Sequence, residues 1–247
     1  MADAAGVLAV EDRGPIRIVA LNRPGKRNAL NDELTGALYE TLVATAADRA
    51  VRAVVLTGAP PAFCAGADTT EFTQLTAAHP DAVWRRSELT ANCHMQLQRL
   101  PQPVVAAVRG AALGGGAGLA LACDLMVVGD DVRFGFPETG RSIVPAVVMT
   151  SVQRNLGRKR AFELISTGRL VGSDELCAWG LAARRVASEE VLAAALEITG
   201  SWSEINPFAL STSKELFYRV ADAPYEEAMR LGRDANRMMR EFPGRTS

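Results

Sequence analysis

Apolar residues follow two alternating patterns along the first 187 residues of the chain. Short continuous runs such as Ile16–Leu21 and Val104–Val108 predict buried strands. Between such runs, Leu34, Leu38 and Leu42 recur every four residues and predict the buried face of a helix. Because strands and helices alternate in this way, we expect an α/β core.

The same patterns locate the remaining elements of the core. Strands are predicted at 7–10, 16–21, 51–57, 104–108, 125–128 and 132–136, with short extended segments at 170–172 and 184–187. Helices are predicted at 32–47, with Asn31 as the N-cap, and at 81–100, 119–123, 146–156, 159–166 and 173–179.

From residue 188 onward the pattern is almost entirely helical. Three helices are predicted there, at 189–202, 208–220 and 225–241. Pro207 and Pro224 stand where proline favours a helix start. We therefore expect an α/β core over 1–187 and a C-terminal helical region over 188–247.

Composition narrows the class of protein. The 247 residues are 48% apolar and 22% charged, and the net charge of −1 gives no electrostatic argument for binding nucleic acid or an anionic membrane. No apolar run reaches the roughly 18–20 residues that span a bilayer, and the first residues lack the pattern of a signal peptide. Four separated cysteines and two histidines give no metal-ligand spacing, so we expect no metal and a reduced, cytoplasmic location.

The candidate chemistry begins in the glycine-rich stretch 110–124, which follows the 104–108 strand and leads into a helix. Gly114–Gly116 would let another molecule approach the backbone, and a helix start offers unpaired N–H groups and a positive dipole end. We expect this stretch to form half of a site for a negatively charged oxygen. It is not a P-loop, because no Gly-Lys-Ser/Thr follows. The alternative is tight packing of a helix against the sheet.

The segment 62–68 occupies the same kind of position, after the 51–57 strand. Two such junctions can aim two backbone N–H groups at one oxygen, which is the arrangement of an oxyanion hole. The alternative is a small-residue turn in which Asp68 caps a helix. Cys64 has no nearby histidine motif that would activate it as a nucleophile, so we interpret it as a small buried residue.

Two further segments supply polar side chains. Glu138 follows the aromatic and proline residues of 134–137, where burial would raise its pKa and suit it to general acid–base catalysis. An exposed loop glutamate is the alternative. The loop 22–30 groups arginine, lysine and asparagine side chains that suit phosphate binding, with a solvated turn as the alternative.

In this order, the segments resemble the crotonase (enoyl-CoA hydratase/isomerase) family. The similarity covers residues 5–220, and the matching segments are 21–30, 63–68, 103–124, 136–138, 143–145, 157–161 and 167–169. The resemblance implies a spiral of ββα units followed by helices that build trimers, often paired into hexamers. It also implies an acyl-CoA thioester as the bound molecule, with no separate cofactor.

The resemblance further implies roles for single residues. The thioester oxygen would lie between the N–H groups of Ala67 and Gly115, and Glu138 would be the catalytic acid/base. The other implied substrate-binding positions are Arg27, Ala29, Ala65, Gly66, Asp68, Gly114 and Pro137.

One departure from the family pattern changes the expected reaction. Gly118 stands where family hydratases carry the first of two glutamates that ionise a water. A single base at Glu138 matches members that shift a double bond, so we expect an enoyl-CoA isomerase. Three alternatives stay open. The first is hydration at a reduced rate, and the second is another reaction such as decarboxylation, in which Glu71 or Arg141 would assist Glu138. The third is acyl-CoA binding without turnover. The segment 241–247 also lacks a lysine that members often place against the CoA phosphates.

Overall fold

The computed structural model describes residues 6–73 and 75–239. The strands are β1 Leu8–Arg13, β2 Ile16–Leu21, β3 Ala53–Gly58, β4 Val104–Val108, β5 Ala111–Leu113, β6 Leu125–Gly129, β7 Arg133–Gly135, β8 Leu170–Val171 and β9 Arg184–Val186. The helices are α1 Asp32–Ala47, α2 Pro80–Arg99, α3 Gly115–Ala122, α4 Met149–Thr167, α5 Ser173–Ala178, α6 Val191–Ser203, α7 Pro207–Ala221 and α8 Tyr225–Met238. The last predicted helix and the segment 241–247 extend beyond the described residues.

Two sheets organise the core. The larger has the order β1-β2-β3-β4-β6-β9, in which β1 and β2 are antiparallel and the other neighbours are parallel. The smaller has the order β5-β7-β8, with β5 parallel to β7 and β7 antiparallel to β8. The parallel pairs confirm that the buried apolar runs belong to an α/β core.

Both faces of the large sheet are covered by helices. Leu56 of β3 lies in an apolar cluster with Leu38 of α1. Val55 points to the opposite face and lies in a second cluster with Ala195 of α6. Burial on both faces explains why these strands read as continuous apolar runs rather than as alternating ones.

The strand β5 was not predicted, and it changes the position of the glycine run. Its three residues, Ala111–Leu113, are too few to give a periodic signal, yet Ala112 pairs with Phe134 of β7. The glycine run therefore follows β5 and not β4. The next helix, α3, begins at Gly115 rather than at residue 119, with the Gly118 N–H donating to the Gly114 carbonyl at 2.9 Å.

Other predicted elements have close counterparts. Asn31 caps α1 by accepting a hydrogen bond from the Leu34 N–H at 3.0 Å, as expected. The predicted break near Gly157 is a kink inside α4, where Gly157 has φ +69°. Within the described residues, no helix is both long and apolar enough to cross a membrane.

Helix α7 is tied to the core by a buried ion pair. The Lys214 ammonium donates to Asp124 Oδ2 at 2.7 Å and to the carbonyls of Leu97 and Gln102, each at 3.0 Å. The Tyr218 hydroxyl donates to Asp124 Oδ1 at 2.9 Å. The division into a core and a C-terminal helical region stays a prediction, since α6 packs on the sheet and α7 is anchored to it.

Candidate active site

Three stretches of backbone meet at the site. The segment 64–68 runs beside β5, because the Cys64 N–H donates to the Ala111 carbonyl at 2.9 Å and the Leu113 N–H donates to the Cys64 carbonyl at 3.0 Å. On its other side, the Leu30 N–H donates to the Gly66 carbonyl at 2.8 Å. The segment is therefore held between β5 and the loop 22–30.

Asn28 fastens the loop 22–30 to the segment that precedes the site. Its buried side-chain amide donates to the carbonyls of Ala59 and Ala62 at 2.8 and 2.7 Å, and its Oδ1 accepts from the Arg23 N–H at 2.9 Å. Asn28 is thus a structural residue and is not available for phosphate. Sequence reasoning grouped it with the phosphate-binding side chains because its partners are distant in sequence.

The two predicted N–H donors lie next to each other. Gly66 has φ +92°, and a Cβ added to it would lie 2.8 Å from the Leu113 carbonyl oxygen and 3.7 Å from the Gly115 nitrogen. The backbone entering Ala67 therefore passes directly beside Gly115. Across the residues that the structure describes, neither the Ala67 nor the Gly115 N–H donates a hydrogen bond. Two neighbouring N–H groups without a partner are what an oxyanion hole requires.

The glycine run also packs tightly, as the alternative interpretation of it predicts. A Cβ added to Gly116 would lie 2.6 Å from the Cys64 Cβ and 2.8 Å from its Sγ. Burial raises the pKa of the Cys64 thiol to about 12, which keeps it protonated at neutral pH. Cys64 is a packing residue, as interpreted from the sequence.

Glu138 lies over the start of α3. It belongs to the 3-10 turn Pro137–Arg141, which follows the buried, edge-to-face pair of Phe134 and Phe136, with ring centroids 5.7 Å apart. A Cβ added to Gly114 (φ +51°) would lie 3.0 Å from the Glu138 carboxyl carbon and collide with Oε1. The carboxyl group is thus packed against the turn that carries the Gly115 donor.

The environment of Glu138 suits a base. Burial raises its pKa, and the nearby charge of Arg141 opposes the shift only in part. Its Oε2 is buried and has no hydrogen-bond partner among the described residues. The Glu138 backbone N–H bonds to the carboxyl group and also opposes the pKa shift, so one carboxylate oxygen is held while the other is unpaired among the described residues. A half-buried carboxylate with a raised pKa suits proton exchange with a bound molecule.

Gly118 has no room for a side chain. A Cβ there would lie 2.6 Å from His94 Cε1 and 3.2 Å from Val148 Cβ. The space that a carboxylate at this position would enter is filled by an imidazole and a valine. Nothing in the sequence relates α2 to α3, so this contact of His94 could not be predicted.

Other predicted residues surround this centre. Asp68 is buried and accepts hydrogen bonds from Thr70 Oγ1 at 2.7 Å and Arg23 Nη2 at 2.9 Å, and these contacts lower its pKa in that order of importance. The Asp68 side chain therefore stabilises the loop. Glu71 accepts from the Asp32 N–H at 2.8 Å and lies 3.5 Å from Arg86 Nε, so it is already engaged.

The residues predicted to line the CoA path are close together. The Ala65 N–H donates to the Arg27 carbonyl at 2.9 Å, which joins the two loops. The Arg27 side chain is exposed, Ala29 is partly buried, and Pro137 opens the turn that carries Glu138. The role of these positions in binding CoA stays a prediction.

Comparison with known proteins identifies the family. The family model described as enoyl-CoA hydratase/isomerase matches residues 11–243. The chain belongs to this family, the crotonases. A Thermus thermophilus relative, whose name assigns it provisionally as an enoyl-CoA hydratase, is 37% identical over 93% of this chain and 91% of its own length. The 2,3-dehydroadipyl-CoA hydratase of Escherichia coli is 32% identical over 84% of this chain and 80% of its own.

Solved crotonase structures share the fold. The enoyl-CoA hydratase of Mycobacterium smegmatis matches with a TM-score of 0.90 and 31% identity, covering 96% of this chain and 92% of its own. A monofunctional enoyl-CoA isomerase of the same species matches with a TM-score of 0.77 and 30% identity, covering 90% and 98%. The predicted crotonase fold is confirmed, and the neighbours include both reaction types.

Proposed function

We propose that this crotonase shifts the double bond of an enoyl-CoA thioester, in the manner of an enoyl-CoA isomerase of fatty acid metabolism. The observation that supports this most is the pairing of Glu138 with the free donors of Ala67 and Gly115 while Gly118 has no room for a second carboxylate. One base and one oxyanion hole are sufficient for a proton shift along a carbon chain.

The proposed reaction uses Glu138 twice. Its carboxylate takes a proton from C2 of a 3-enoyl-CoA, and the electron pair moves onto the thioester oxygen between the Ala67 and Gly115 N–H groups. The protonated Glu138 then returns that proton to C4, which leaves the double bond between C2 and C3. Each donor to such an oxyanion is typically worth about 3–4 kcal/mol.

We propose the position of the substrate from the binding residues that the family resemblance implies. The CoA moiety runs past Arg27, Ala29 and the 65–68 segment, with the exposed Arg27 guanidinium facing its phosphates. The acyl group passes Gly114 and Pro137 on its way to Glu138. No separate cofactor takes part in this proposal, because CoA is part of the substrate.

Hydration is the second candidate, and the names of the relatives favour it. Both sequence relatives described above carry hydratase names. Acyl-CoA binding without turnover is a third possibility, and decarboxylation a fourth. In the structure, Glu71 is engaged by Asp32 and Arg86, which disfavours it as an assistant to Glu138.

Product analysis separates these candidates. The purified protein is incubated with 2-enoyl- and 3-enoyl-CoA thioesters of several chain lengths, and the acyl products are identified by mass and chromatography. The isomerase proposal predicts that 3-enoyl substrates are converted to 2-enoyl products. Exclusive formation of 3-hydroxyacyl-CoA from 2-enoyl substrates, or no conversion of any substrate, would contradict it.

We also propose that the chain forms a homotrimer or a hexamer. Large apolar side chains on α7 and α8 are solvent-exposed in the single chain, including Phe217, Tyr225, Met229 and Met238. Several large exposed apolar side chains on two neighbouring helices support a protein–protein contact there. The cytoplasmic location stays a prediction.

A further inference from the structure

The loop 22–30 fixes the direction of the Ala67 N–H. The Leu30 N–H donates to the Gly66 carbonyl at 2.8 Å, and Leu30 and Ala67 form a parallel β-bridge. The Gly66–Ala67 peptide bond is trans, so its carbonyl and its N–H point in opposite directions. Because the carbonyl faces the loop, the Ala67 N–H faces the other side of the segment, where Gly115 lies.

A second peptide group stands behind this hydrogen bond. The Leu30 N–H shares a planar, trans peptide group with the Ala29 carbonyl. That carbonyl accepts a hydrogen bond from Arg23 Nη1 at 2.5 Å. Arg23 therefore donates to the peptide group 29–30, and that peptide group donates to the peptide group 66–67. The Ala67 N–H is the free end of this chain of hydrogen bonds.

The Arg23 guanidinium is itself held in one position. Its Nη2 donates to Asp68 Oδ2 at 2.9 Å, and the Thr70 hydroxyl donates to the same carboxylate at 2.7 Å. The side chains of Arg23 and Asp68 are only 17% and 6% exposed. A pair so well shielded from solvent is screened much less than a surface pair. Both terminal nitrogens of Arg23 are thus engaged within the protein.

We propose that Arg23 is a positioning residue of the oxyanion hole, which orients and polarises the Ala67 N–H through two peptide groups without touching the substrate. A charged donor makes a stronger hydrogen bond than a neutral one, and hydrogen bonds in a chain polarise one another. The Ala67 N–H therefore becomes a stronger donor to the thioester oxygen. This inference rests on the acyl-CoA site of the proposed function and adds to it a residue that the reaction itself does not contact.

The two donors of the oxyanion hole are reinforced in different ways. The Gly115 N–H lies at the start of α3, at the positive end of the helix dipole. The Ala67 N–H belongs to no helix, and the chain of hydrogen bonds from Arg23 gives it a comparable support. Loss of Arg23 should therefore weaken one donor and leave the other intact, which is a smaller effect than removing a donor outright.

The test measures how strongly the protein polarises a bound thioester. Butyryl-CoA with an isotope label at the thioester carbonyl is bound to wild type, Arg23→Gln and Arg23→Lys, and the C=O stretching frequency is read by infrared difference spectroscopy. Stronger hydrogen bonds to the oxygen lower this frequency. We expect wild type to lower it relative to the free thioester, and Arg23→Gln to lose about half of that shift. Its kcat on 3-enoyl-CoA should fall about 10-fold, while the Kd of butyryl-CoA stays within about threefold.

Arg17→Gln is the matched control. The Arg17 side chain is 14% exposed, close to the 17% of Arg23, and it also pairs with carboxylates, those of Asp12 and Asp48. Its partners belong to β1 and the end of α1, away from the Ala67 segment. The control removes a comparable ion pair and should leave both the carbonyl frequency and kcat unchanged.

The other outcomes separate this inference from the proposed function. A carbonyl frequency in Arg23→Gln equal to that in wild type overturns the role of Arg23 and leaves the isomerase proposal standing. A shift that depends on Arg23, in a protein that does not isomerise 3-enoyl-CoA, overturns the isomerase proposal instead. No shift in wild type overturns both. If circular dichroism shows that Arg23→Gln is unfolded, Arg23→Lys decides. Its frequency must lie above that of wild type, because one ammonium cannot reproduce the two-pronged guanidinium geometry.

Discussion

At the scale of single residues, three glycines near the start of α3 have three different neighbours. Gly114 lies under the Glu138 carboxyl, Gly116 lies against Cys64, and Gly118 lies against His94. In each case the missing Cβ is what allows another group to approach the helix. One of these groups is the proposed base, one is a packing thiol, and one is a buried imidazole.

We expect Gly114→Ala to impair both activity and stability. The backbone at Gly114 has φ +51°, where an L side chain is strained, and the new methyl group would collide with the Glu138 carboxyl. The strain should cost at least about 1 kcal/mol of unfolding free energy. Displacing the carboxyl by about 1 Å should lower kcat about 100-fold. Denaturant unfolding and steady-state kinetics measure the two effects.

Gly36→Ala is the matched control for that substitution. Gly36 lies inside α1, and nothing lies within 4 Å of an added Cβ. The change should raise the unfolding free energy by about 0.5–1 kcal/mol and leave kcat unaltered. An active, equally stable Gly114→Ala protein would show that the contact between Gly114 and Glu138 is not required.

The sequence predicts the surroundings of some of these residues and not of others. The absence of a carboxylate at Gly118 is visible in the chain, and so is the run Gly114–Gly116. The contact of His94 with Gly118 is not visible, because it forms where α2 packs against α3 and the two residues are 24 positions apart in the chain. Asn28 was misread for the same reason, since its partners Ala59 and Ala62 belong to another loop.

At the scale of elements, buried polar contacts hold α7 in place. The side chains of Lys214 and Asp124 are only 6% and 16% exposed, and Lys214 also donates to two carbonyls at the end of α2 and the start of β4. Removing one partner of such a pair leaves the other buried and unbalanced. This contact therefore determines how firmly the C-terminal helices are attached to the sheet.

Lys214→Ala should destabilise the protein by about 3 kcal/mol, measured by urea unfolding. Arg219→Ala on the same helix is its control, because the Arg219–Glu215 pair is 58% and 68% exposed and should contribute less than about 1 kcal/mol. Equal, small effects of the two substitutions would mean that the buried pair does not anchor α7.

Strands with a continuous apolar run could be predicted from the sequence. A strand that forms only because it pairs with distant segments could not. β2 and β4 occur where continuous apolar runs predicted them. β5 consists of Ala111–Leu113 and exists because it pairs with β7 and the 64–68 segment. The fold around the site depends on this strand, since it sets the distance between the two N–H donors.

At the scale of the whole molecule, large apolar side chains on α7 and α8 are exposed to solvent in the single chain. Met229 is 58% exposed and Phe217 is 68% exposed on these two packed helices. The resemblance to crotonases predicts trimers or hexamers, and the C-terminal region is helical as the sequence predicts.

Light scattering on the full chain should give a mass three or six times the 26.3 kDa of one copy. Met229→Glu places a charge on the exposed apolar side of α8 and should shift the mass to that of a single chain. Arg230→Ala, at a neighbouring position in an exposed ion pair, should not change it. A wild-type protein with the mass of one copy would contradict the assembly proposal.

The most direct measurement is the turnover of 3-enoyl-CoA by Glu138→Gln, together with its affinity for a saturated acyl-CoA. The amide has nearly the same shape as the carboxylate but cannot accept the substrate proton. We predict a loss of at least about 100-fold in kcat with a Kd within about threefold of wild type. Turnover near the wild-type rate would contradict the assignment of Glu138 as the base.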